Sequence, residues 1–152
     1  MLTNAAEIQI LQDTGNQVAV KVSGYFTSAN TSNTKVIVAN TLFGANASKT
    51  LNDLSLTGIT WTGSITSNGV VSLQYHSTVN TNTSIMNFTG SESFPLYQTY
   101  VRNNANTPSG DINLQMIGVG PNSAYTLIAY FNKEKGNQGP NSDAWANTEN
   151  GY

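Results

Sequence analysis

Apolar and polar residues alternate along most of this chain. Val18, Val20 and Val22 fall on one side of a strand, and Ala19, Lys21 and Ser23 on the other. Val71, Leu73 and Tyr75 alternate with Ser72, Gln74 and His76, and Ile112, Leu114 and Met116 with Asn113 and Gln115. A period of two puts one face in a core and leaves the other wet. The segment from Tyr125 to Phe131 is apolar on both sides, which predicts a central strand or one face of an interface. Strands are expected at about 6–13, 17–26, 34–43, 54–63, 69–77, 84–90, 97–103, 111–118 and 124–133. No segment before residue 132 carries a helical stripe, although Ala45–Asp53 has room for one short turn of helix.

Turn chemistry separates these runs. Gly15-Asn16 stands between the first two, as a hairpin requires. Asn68-Gly69 predicts a tight turn with positive φ at both central residues. Gly118 to Asn122 breaks the chain before the last strand. Short strands punctuated every 8–12 residues predict an antiparallel β-sandwich, specifically a jelly roll. The expected organisation is a sandwich domain over 1–132 followed by an extended arm over 133–152, which has no hydrophobic period and is rich in Gly and Asn. The arm carries Trp145 and ends on Tyr152. One buried tryptophan is worth about 4–6 kcal/mol, whereas ordering twenty residues costs roughly 20 kcal/mol or more. Docking on a neighbouring subunit, or folding back with backbone pairing, must therefore hold such an arm.

Composition narrows the chemistry. Lys and Arg total 6 and Asp and Glu 8 of 152 residues, while Asn, Ser and Thr supply 55. The polar surface is thus mostly amide and hydroxyl, which hydrogen-bonds well and repels neighbours weakly. Leu, Ile, Val and Phe total 34, enough for a thin core. There is no cysteine, hence no disulfide and no thiolate metal site. The opening residues show no signal-peptide pattern and no apolar run approaches membrane-spanning length, so assembly in a reducing cytoplasm is expected. Scattered cations and a net charge of −2 argue against nucleic acid as a partner.

Candidate chemical sites read blandly. His76 is the only histidine and is expected to sit exposed on a strand, pointing away from Leu73 and Tyr75. No spacing pairs any two of the eight carboxylates as a glycosidase requires, and Asp111 after Gly110 is placed to cap a turn. No nucleophile elbow, phosphate loop, dinucleotide fingerprint or calcium loop occurs. The four N-x-[ST] sequons match chance in so Asn-rich a chain. Trp61, Tyr75, Tyr97, Tyr100, Tyr125 and Tyr130 are candidates for core or interface packing, or for a sugar-stacking platform. Trp61 lies two residues after Ile59, so both should face the core.

Two stretches carry a resemblance. Ile8-Gln9-Ile10-Leu11-Gln12-Asp13-Thr14-Gly15, followed by Val18 to Gly24, is one; Ser109 to Leu114, with Asn122 to Leu127 and Lys133, is the other. Together they resemble small virion structural proteins of tailed bacteriophages, especially those of marine bacteria and cyanobacteria. The resemblance implies a β-sandwich particle component without enzymatic activity or cofactor. The expected function is capsid decoration, or cementing of the head, by a homo-oligomer, most simply a trimer. Its partners would be the major capsid protein or other virion proteins. A neck, tail or fibre component and a carbohydrate-binding adsorption module that takes host glycans are the alternatives. The residues expected at a protein interface are Trp145, Tyr152, Tyr130 and Ile128.

Overall fold

A computed structural model describes residues 6–44, 54–79 and 81–134. Nine strands form two antiparallel sheets: β1 (Ala6–Asp13), β2 (Gln17–Tyr25), β3 (Asn30–Ile37), β4 (Leu54–Ser64), β5 (Val70–Ser77), β6 (Thr83–Thr89), β7 (Ser91–Val101), β8 (Pro108–Val119) and β9 (Ala124–Lys133). Sheet A has the order β1-β2-β9-β4-β7 and sheet B the order β3-β8-β5-β6.

The pairing is nested. β2 pairs with β9, β3 with β8, β4 with β7 and β5 with β6. The chain behaves as one long hairpin whose tip is β5–β6, rolled so that successive rungs fall alternately in the two sheets. The β4–β9 and β5–β8 ladders close the roll. This is the jelly-roll topology that the alternation predicts, with β1 added as a further edge strand beside β2. β9 is the central strand of sheet A, as its two-sided apolar sequence requires.

The core lies between the sheets. Sheet A supplies Val18, Val20, Val22, Leu56, Ile59, Trp61, Leu127 and Phe131, and sheet B supplies Val71, Leu73, Tyr75, Ile112, Leu114 and Phe88. Trp61 and Ile59 both face inward, as their spacing predicts. The Trp61 ring stacks on Phe88 with centroids 4.1 Å apart and on Tyr125 at 5.5 Å, so aromatic contact joins the two sheets. A second tie is polar. The ladders on both sides of β4 slip between Leu56 and Gly58. There the hydroxyl of Tyr75, from the opposite sheet, donates to the Val101 carbonyl and accepts from the Leu56 N–H at 3.0 Å. A side chain thus serves backbone groups at a break in the ladder.

Several boundaries differ from the sequence reading. β3 begins at Asn30 and ends at Ile37, and a 3-10 turn over Ala39–Thr41 replaces its expected end. Its first half is polar because it lies on the edge of sheet B. β7 begins at Ser91, six residues earlier than expected. Pro95 disguises it, and an edge strand tolerates proline because one side of it needs no donor. The tight turn sits one residue earlier than predicted. Positive φ falls on Ser67 and Asn68, and the Gly69 N–H donates to the Thr66 carbonyl at 3.1 Å. Gly69 serves another need, since a Cβ there would lie 2.6 Å from the Val119 Cα. The segment expected to hold a helical turn, 45–53, lies outside the described residues.

Candidate interaction surface

Alternation along β9 decides what sheet A shows to its surroundings. Tyr125, Leu127, Ala129 and Phe131 point into the core, which leaves Ile128 and Tyr130 on the outer face. Ile128 stands in register between Lys21 of β2 and Thr60 of β4, and Tyr130 between Ala19 and Gly58. Of the four residues expected at an interface, these two are therefore adjacent on one exterior surface. Trp145 and Tyr152 lie outside the described residues.

Gly58 shapes the surface. A Cβ built on it would lie 3.0 Å from Leu96 Cδ1 and 3.5 Å from Tyr130 Cδ1, so its bare backbone lets those two side chains close over β4. Leu96 is 51% exposed, Tyr130 36% and Tyr100 53%. The Tyr100 hydroxyl donates to Glu134 Oε2 at 2.9 Å, just past the end of β9. The result is an apolar and aromatic ridge running across sheet A from β7 to β9. Leu96 also borders a recess of about 470 Å³ along the β7 edge, lined by Met86, Phe94, Pro95 and Tyr97. Leu96 and Gly58 escape sequence reading because they meet only through the β4–β7 register.

The other end of the same face is polar. A shallow groove of about 680 Å³ crosses β2, β9, β4 and β7. It is bordered by Tyr25, Lys21 and Glu92, and by hydroxyls that include the Thr62–Ser93 pair at 3.1 Å. Such a lining donates and accepts hydrogen bonds to neutral polar groups.

The remaining candidates have structural partners. His76 points away from the core as expected, but it is half-buried, with Nδ1 2.7 Å from Ser109 Oγ. Asp111 caps a turn, though not its own: it accepts the Ala39 N–H at 2.8 Å and pairs with Lys35 Nζ at 2.8 Å. Asp13 pairs with Lys133 Nζ at 2.6 Å and accepts the Phe43 N–H at 2.8 Å. Lys133, the end of the expected strand 124–133 and the start of the expected arm, is the last residue of β9, and its side chain is buried. Its ammonium also donates to the carbonyls of Thr14 and Phe43. The six aromatic candidates divide evenly. Trp61, Tyr75 and Tyr125 are core residues, while Tyr97, Tyr100 and Tyr130 are exposed on β7 and β9. Among the described residues no three His, Cys, Asp or Glu side chains gather as a metal site.

No protein-family model matches this chain, and no curated protein is similar to it.

Proposed function

We propose that this protein is a structural component of a tailed-bacteriophage particle that decorates the head, binding shell subunits through the ridge on the outer face of sheet A. It acts by adhering rather than by making or breaking bonds. The observation that carries this reading is the ridge itself: Leu96, Tyr100 and Tyr130 stand exposed together on the outer face of sheet A. These side chains are already about half covered, so burying the rest of each is worth roughly 1 kcal/mol. Two or three such anchors per copy, repeated over a shell, add up to firm attachment. The low charge supports the reading, because many copies can crowd together with little mutual repulsion. The resemblance to virion structural proteins, carried by stretches that lie in the β1–β2 hairpin and in β8 and β9 of opposite sheets, agrees with it.

A second reading, a glycan-binding adsorption module, is favoured by the hydroxyl-bordered groove beside Tyr25. Location separates the two. Antibodies raised against the recombinant protein and applied to intact particles should label the whole head surface in electron micrographs. Label confined to the tail tip would favour the adsorption module, and particles that take no label would end the virion assignment. Bare heads supply the residue-level check: the Leu96→Ser, Tyr130→Ser double variant should fold normally and fail to bind.

A further inference from the structure

We infer that β1 is a homotypic docking strand, through which two copies of this chain join their A sheets edge to edge about a two-fold axis. The inference is independent of the virion reading. It starts from an anomaly of burial. Ile8 and Ile10 pair in register with Val22 and Val20, so all four side chains share the inner side of sheet A. The valines are wholly buried, yet Ile8 is 40% and Ile10 44% exposed. Sheet A has five strands and sheet B four, and β1 is the strand left overhanging. Among the described residues it therefore presents an apolar inner side and, along its edge, a row of backbone donors and acceptors. An extended strand satisfies both at once.

The sequence of β1 says which strand. Its pairing with β2 is regular from Ala6 to Ile10 and slips only at Leu11, so five residues form an undistorted edge. Over those residues apolar Ala6, Ile8 and Ile10 alternate with polar Glu7 and Gln9, a pattern that reads the same in both directions. Antiparallel pairing of two such strands keeps both inner faces on one side only when the two-fold axis passes through a residue. An axis through Ile8 uses the entire regular stretch. It sets Ile8 against Ile8, Ile10 against Ala6, and Glu7 against Gln9, so no like charges are opposed. An axis through Ile10 would instead oppose Glu7 with Asp13, a repulsive pair. The other edges carry their own guards: Pro95 in β7 and Lys35 in β3, while the β6 ladder slips between Leu73 and Gln74.

Absence of cysteine makes a clean test possible. Directly opposed residues in an antiparallel pair have Cα atoms roughly 4.5–5.5 Å apart, within disulfide range. The full-length Ile8→Cys chain, mildly oxidised, should convert to a covalent dimer. The Gln12→Cys chain should not, because that position lies more than about 20 Å from its symmetry mate in this register. Sedimentation at roughly 100 μM, where weak interfaces register, should show a dimer for the unmodified chain. Ile8→Lys, which sets like charges face to face, should shift it to monomer with an unchanged circular dichroism spectrum. A monomeric unmodified chain, a dimer that survives Ile8→Lys, or equal cross-linking at positions 8 and 12 would each overturn the proposal. Should Ile8→Lys fail to fold, the two cysteine variants decide the matter alone.

Discussion

Two buried tyrosines show how far environment outweighs residue type. The Tyr75 hydroxyl, wedged between the sheets, serves two backbone groups that the irregular β4 ladder leaves open. The Tyr125 hydroxyl is buried with no hydrogen-bond partner among the described residues. Removing each oxygen should therefore have opposite consequences. Tyr75→Phe strands an N–H and a carbonyl in the core and should cost about 1–3 kcal/mol in urea unfolding. Tyr125→Phe removes an unsatisfied group and should leave stability at neutral pH unchanged or higher. Burial also pushes the Tyr125 hydroxyl well above its ordinary pKa. The folded state then keeps this proton at pH values where the unfolded chain releases it. Stability falls as pH rises above about 10, and is intact below that value. Alkaline titration of the unfolding midpoint should show a steeper decline for the unmodified chain than for Tyr125→Phe.

Among the elements, one end of sheet A is tied together by a buried cation. There the Lys133 ammonium ties the end of β9 to the β1–β2 turn through Asp13 and Thr14, and to Phe43 in the segment after β3. Asp13→Ala would remove a carboxylate that pairs with a buried cation and should lower stability by about 3 kcal/mol, read as a shift of the urea midpoint at constant slope. Alternation and turn residues together locate the nine strands approximately, because a strand with a core face writes its burial into a period of two and Gly and Asn mark the breaks between strands. What alternation hides is edge character. The start of β7 is polar and interrupted by Pro95, and β3 opens on Asn, Thr and Ser, since neither edge is covered on both sides. Glycine misleads too: Asn68-Gly69 suggests turn geometry, whereas Gly69 is small because Val119 presses against it. At the candidate surface, Ile128 and Tyr130 are legible because a central strand has one core face and must present the other outward. Leu96 and Gly58 are not, since register between distant segments leaves no local trace.

For the whole molecule, the nested roll makes its central pairings distant ones. Gln17 meets Asn132 across 115 positions of sequence. Closing such loops costs entropy before any contact repays it, so refolding should take milliseconds to seconds, the range of sandwich proteins, in stopped-flow fluorescence. Microsecond refolding would contradict the topology. The same topology governs how the molecule bears force. β1 and β9 run in the same direction with β2 antiparallel between them. Ala6 therefore lies at one end of sheet A and Lys133 at the other, about 30 Å apart by strand length. Tension applied between those two points runs along the strands, at right angles to the bonds joining them. The ladders then slide as a unit, every rung loaded together, instead of peeling open from one end. A protein strung between neighbours on a swelling container would resist stretching in its strongest direction.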